Sequence, residues 1–205
     1  MVLLLLMGGA VFFLLNRDTG APTADPSPSS SPSESPSPSP SPSEDEDEDE
    51  DEEEEGDPLS YEEYGDDWNF RLGEVKLNAE FVKGWDYEDC SDFEIGDALT
   101  DMGCEYGIEL AFKAEGGKLM LAQLVLVMED IDAAEDAVED VTDSDFELHK
   151  EGYISNFSYG KWVIDNAGRY VVITVCTATK EVSEDKAGDY LHYKSADLTA
   201  ALLLR

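Results

Sequence analysis

Ile108-Glu-Leu-Ala-Phe-Lys-Ala-Glu-Gly-Gly-Lys-Leu-Met-Leu-Ala-Gln-Leu-Val-Leu-Val-Met128 is the stretch that decides the fold. Its first part alternates, with Ile108, Leu110 and Phe112 on one side and Glu109, Ala111 and Lys113 on the other. That is the period of a half-buried strand. Gly116-Gly117 supplies the positive backbone angles of a tight hairpin turn. Lys118–Met128 then runs almost wholly apolar, as a central strand covered on both faces does.

Outward from this hairpin the pattern repeats. Val75, Leu77, Ala79 and Phe81 alternate with Lys76, Asn78 and Glu80, which predicts another strand. Ile95–Met102 reads as a short helix stopped by Gly103. After Met128, Asp130 or Asp132 caps a helix, with Glu135 completing a capping box from Asp132. Ile131, Ala134, Val138 and Val141 line one face of it, and the opposite face is acidic. Trp162–Asp165 and Tyr170–Thr179 predict a second hairpin across Asn166-Ala167-Gly168. Ser195 is expected to cap a final helix carrying Leu198 and Leu202. Antiparallel hairpins with helices returning over one face make an α+β two-layer sandwich.

That domain is expected to span residues 58–205. Before it, Val2–Leu15 is apolar and free of charge, and fourteen such residues reach about 21 Å as a helix. Residues 1–16 are therefore expected to be an uncleaved single-pass membrane anchor or signal-anchor whose lead is shortened by a late start. Residues 17–57 are expected to be a disordered stalk. In it Pro26–Ser43 alternates Ser and Pro with a polyproline-II bias, and Glu44–Glu55 is an unbroken acidic run that cannot collapse. The stalk would hold the domain outside the cell membrane.

Charge narrows the partners. Residues 1–57 hold 16 of the 49 acidic residues and one of the 13 basic ones, Arg17, so 33 acidic and 12 basic residues remain beyond them, a net of −21. Such a domain has no basic surface for nucleic acid or for an anionic lipid surface. The expected membrane contact is the N-terminal segment alone.

Cys90 and Cys104 flank one short segment and are expected to form a disulfide, leaving Cys176 as a buried thiol within an apolar run. With that pair assigned, His149 and His192 lack partners at metal-binding spacing, so no metal site is expected. Asp143-Ser-Asp-Phe-Glu147 begins like a calcium loop, but Leu148 stands at the sixth position and Ile154 at the twelfth, where Gly and Glu are needed. Nucleophile-elbow, phosphate-loop and dinucleotide-binding patterns are absent, so no cofactor is expected.

The residues that stand out are aromatic: Trp68, Trp85, Tyr87, Tyr153, Phe157, Tyr159 and Trp162. Rings beside Gly, Ser and Asn either pack a hairpin edge over the core or line a groove for a peptide, glycan or small ligand or a docking site for an envelope protein. The candidate ligand-binding set is Trp85, Tyr87, Tyr159, Trp162 and Arg169, the last either anchoring an anionic group or paired with a neighbouring carboxylate.

The Ser-Pro linker, Phe81-Val-Lys-Gly-Trp-Asp-Tyr-Glu-Asp-Cys90, Met102-Gly-Cys104, Gly168-Arg-Tyr-Val-Val-Ile-Thr-Val-Cys-Thr-Ala178 and Ala201-Leu-Leu-Leu-Arg205 together resemble a group of uncharacterised membrane-anchored extracytoplasmic proteins of actinomycete bacteria. The resemblance implies a cell-envelope location and carries no catalytic residues. The expected function is a non-enzymatic envelope protein presenting a binding or sensing domain. A carboxylate-dependent hydrolase or transferase is the alternative, and it requires a buried Asp or Glu of raised pKa inside a cleft.

Overall fold

The computed structural model of the chain describes residues 57–205. The expected anchor and all of the expected stalk except Asp57 lie outside the described residues. Among the described residues no helix is long and apolar enough to cross a membrane.

Six strands form one antiparallel sheet: β1 (Trp68–Leu72), β2 (Val75–Tyr87), β3 (Cys104–Ala114), β4 (Leu119–Met128), β5 (Tyr159–Ala167) and β6 (Tyr170–Ala178). Their spatial order is β1-β2-β3-β4-β6-β5. The chain therefore lays down three hairpins, and the third docks through β6 against β4, leaving β1 and β5 as the edges. The expected hairpin at Gly116-Gly117 is present, with φ of +66° and +86° at the two glycines. Strand β1 is an addition to the sequence reading. Trp68 and Phe70 alternate with Asn69 and Arg71, and Gly73 turns the chain back into β2 with φ +58°.

Interior position explains why Lys118–Met128 is so apolar. In β4, Leu119, Leu121, Val125 and Val127 enter one core, while Leu124, Leu126 and Met128 enter another on the opposite face. In β6, Val172 and Cys176 share the first core, and Val171 and Ile173 the second. A sheet that is apolar on both faces needs cover on both. The first face is covered by α3 (Glu184–Leu202) through Ala187, Tyr190, Leu191, Leu198 and Leu202. The second is covered by α2 (Ile131–Asp140) through Ala134 and Ala137, together with Phe93, Leu99 of the short α1 (Ala98–Asp101), Cys90 and Cys104. The α+β antiparallel reading holds, but the expected placement of all helices on one face does not. The sheet is a middle layer.

The helix boundaries also move. Asp130 caps α2 by accepting from the N–H of Ala133 at 2.8 Å, so the helix begins before Asp132 and no Asp132–Glu135 box forms. α3 starts at Ser183, whose hydroxyl accepts from the N–H of Lys186 at 3.3 Å. Ser195 is not a cap; it lies buried in mid-helix and donates to Asp165 Oδ2 of β5 at 3.1 Å. Gln123 adds a second polar pin, its Nε2 donating to Thr174 Oγ1 (3.2 Å) and to the carbonyl of Lys194 (3.0 Å). Such pins fix a helix on a sheet that apolar packing alone would let slide.

The disulfide pairs Cys90 with Cys104, joining the end of β2 to the start of β3 across 14 positions. Cys176 is free and fully buried, and burial pushes its thiol up to about 12, which leaves it inert.

Candidate functional site

Between α2 and β5 the chain crosses the second face of the sheet as a strap, residues 142–158. Each part of the strap is tied down. Thr142 donates through its N–H (2.7 Å) and hydroxyl (2.8 Å) to Asp145, so the segment once comparable to a calcium loop closes on itself. Phe146 bridges to Glu94, with the N–H of Glu147 donating to the Phe93 carbonyl at 2.8 Å. Farther on, the N–H of Ile154 donates to Thr177 Oγ1 of β6 at 2.9 Å.

The middle of the strap is held by Glu109 of β3, the one fully buried carboxylate among the described residues. Its oxygens accept from the backbone N–H of His149 at 3.0 and 3.1 Å, and from the Tyr87 hydroxyl at 2.9 Å. Burial raises its pKa above the ordinary carboxyl range, and those two donors partly oppose the rise. Tyr87, half-buried and beside this carboxylate, is raised as well, by desolvation first and by Glu109 second. Outside Glu109, Trp85 stacks on the His149 ring with centroids 4.2 Å apart, and Lys83 lies 5.0 Å over Trp85.

A group whose folded pKa exceeds its unfolded value stabilises the fold at low pH and loses that contribution as pH rises through the folded value. Glu109→Gln keeps an acceptor for the His149 N–H and removes the charge, and its amide NH2 faces the Tyr87 hydroxyl, which then accepts where it now donates. Its thermal stability is therefore expected to fall less than that of the wild type as pH rises from the acid range to neutrality. A wild-type minus variant difference that stays constant with pH in thermal melts would refute this account.

Between the strap and the β5–β6 hairpin lies a groove of about 340 Å³, walled by Phe146, Tyr153, Phe157 and Trp162 and floored by Val175 and Thr177. Phe146 and Trp162 meet edge to face, with centroids 5.9 Å apart. Phe157 rests on Gly160, where a Cβ would come within 2.4 Å of the ring, yet it stays 51% exposed. Asp143 and Glu147, both exposed, also line it.

The structure does not gather the five sequence candidates into one site. Trp162 lines the groove. Trp85 and Tyr87 hold the strap through His149 and Glu109. Tyr159 is buried in the core beneath α3, with the Lys161 ammonium 5.6 Å from its ring. Arg169, in the β5–β6 turn, pairs with Glu105. Tyr153 and Phe157, conspicuous in sequence beside Trp162, do join it, and Phe146 completes the wall. Nothing in the sequence marked Phe146, because the bridge that aims it runs to Glu94, far away in the chain.

No protein-family model matches this chain, and no curated protein or solved structure matches it significantly. The groove must therefore be read from its own chemistry. Among the described residues, no three His, Cys, Asp or Glu side chains converge to hold a metal ion.

Proposed function

We propose that this chain presents a non-enzymatic binding or sensing domain outside the membrane, and that its ligand occupies the groove beneath the strap. The observation that carries the reading is the aromatic wall. Four rings converge on a concave surface, and one of them, Phe157, is left half in solvent although large apolar rings ordinarily pack inward. The strap that forms the outer wall is stapled to β3, β6 and the Phe93–Ile95 segment, so the groove is built before any ligand arrives.

The hydrolase alternative asks for a buried, pKa-raised carboxylate facing a cleft. Glu109 meets the first two conditions, but its oxygens are engaged by Tyr87 and His149 and it does not line the groove. Placement at the cell envelope is supported by the disulfide, which persists in oxidising compartments, and by the resemblance of the linker and framework motifs.

The test is a fragment screen by amide NMR on the full chain in dodecyl maltoside. Shifts are expected to cluster at Phe146, Tyr153, Phe157, Gly160 and Thr177, and Trp162→Ala is expected to weaken those hits about tenfold, as loss of a ring from a small aromatic site does. Hits confined to other surfaces would overturn the assignment. For placement, protease added to intact cells is expected to release the domain, and protection would reverse the topology.

A further inference from the structure

We infer that the groove takes a free organic cation of the alkylated-ammonium class, an inference that rests on the binding reading above and names its ligand chemistry. The walls supply the first part of the case. Phe146, Tyr153, Phe157 and Trp162 line the groove, and the negative potential of an aromatic face attracts a cation within about 6 Å of the ring. Methyl groups around a quaternary nitrogen spread its charge over an apolar surface that matches those rings and costs little to strip of water.

The charges of the lining supply the second part. Asp143 and Glu147 are exposed, and among the described residues neither carboxylate makes an ion pair or accepts a side-chain or backbone hydrogen bond. The one basic residue of the lining, Lys161, turns its ammonium away to the Tyr159 ring of the opposite core. The groove is thus aromatic and anionic together. No Asn, Gln, Arg or His lines it, so the dense donor and acceptor pattern of a sugar or an extended peptide backbone would go unmatched. The surplus of acidic residues over the rest of the domain draws cations toward the same surface.

Size and charge together separate a free cation from a lipid headgroup. A volume of about 340 Å³ holds a trimethylammonium group with a short polar tail. A phosphodiester next to that ammonium would face Asp143 and Glu147, two like charges, while Lys161, the one basic residue of the lining, directs its ammonium to the Tyr159 ring.

The experiment titrates the full chain, in dodecyl maltoside, with choline and with its neutral isostere 3,3-dimethyl-1-butanol. It follows the Trp162 indole N–H resonance, assigned by its loss in Trp162→Phe. Choline is expected to bind about tenfold tighter than the isostere. Asp143→Asn combined with Glu147→Gln, both at exposed positions that leave the core intact, is expected to shrink that ratio at least threefold. Gly160→Ala, whose methyl displaces Phe157, is expected to abolish the choline shift.

Phosphocholine is expected to bind more weakly than choline, and equal or tighter binding overturns the assignment to a free cation. If the isostere binds as well as choline, the cation inference falls while the groove reading stands. If choline leaves Trp162 unmoved while fragments still cluster at the groove, the cation inference again falls alone. If no fragment reaches the groove, the binding reading falls with it.

Discussion

Replacing Cys90 and Cys104 together by alanine is expected to cost the domain about 3 kcal/mol, the loop-closure entropy that a crosslink of this length removes from the unfolded chain. The bond spans 14 positions, from the end of β2 to the start of β3. Within that loop Phe93 and Leu99 are buried against Leu124, Leu126 and Met128 on the second face of the sheet. Freed of the crosslink, the loop would have to hold those side chains in place by packing alone. The Phe93–Ile95 segment that the loop carries also anchors the strap through the Glu147 N–H and the Ile95 N–H, which donates to the Asp145 carbonyl at 2.9 Å. Loss of the bond is therefore expected to loosen Phe146 and with it one wall of the groove.

Urea unfolding of the double variant, with the wild type measured under oxidising and reducing conditions, checks the prediction. The reduced wild type should fall close to the variant. A variant as stable as the oxidised wild type would mean that packing of Phe93 and Leu99 already holds the loop. Mass spectrometry of non-reduced protein from cells should show a Cys90–Cys104 crosslinked peptide, and two free thiols would argue against an extracytoplasmic home.

The parts of this molecule that were legible in its sequence are those where one physical signal acts over a short distance. β3 and β4 announce themselves because period-two alternation and an apolar run lie on either side of a Gly-Gly turn. The pairing of Cys90 with Cys104 needed only their spacing around one short segment. Features set by distant partners were not legible. The apolar run Lys118–Met128 encodes burial on both faces of β4, yet the division of the helices between the two faces depends on where α2 and α3 return, and local periodicity does not encode that.

α3 shows the same limit at finer scale. Its first half, Glu184–Tyr193, carries acidic residues and Gly188 among the apolar ones, which hid the helix and moved the expected cap to Ser195. The aromatic candidates divided for a similar reason. Trp162 and Tyr159 are three residues apart on β5, an odd spacing that puts them on opposite faces of a strand, one in the groove and one in the core. Glu109 alternates in sequence as though it faced solvent. Only the strap, arriving from some forty positions later, buries it.

Lys194→Met is expected to stabilise the domain by about 2 kcal/mol at pH 7, and the gain is expected to shrink to less than half by pH 9.5. Lys194 lies on the buried side of α3, 5% exposed, with its ammonium 4.0 Å from the Phe112 ring and 5.5 Å from Trp68. Burial pulls its pKa down from 10.5 to about 8, and Asp197 opposes the fall. A depression of that size corresponds to about 3 kcal/mol against the charged form. Attraction to the Phe112 face returns about 1 kcal/mol.

The sign follows from proton counting. Between pH 8 and 10.5 the unfolded chain binds the proton that the folded chain has released, so wild-type stability from this group rises with pH across that window and its cost is full below it. Methionine has nearly the same length and no charge, so it fills the space between Phe112 and Trp68 without the desolvation cost. The contact that seats the helix there, Gln123 to the Lys194 carbonyl, is unaffected because it uses the backbone. Paired denaturation curves at pH 7 and 9.5 decide the matter. A variant less stable than the wild type at pH 7 would mean that the ammonium on Phe112 stabilises the fold outright. A gain equal at both pH values would place the effect in packing and remove the charge from the account.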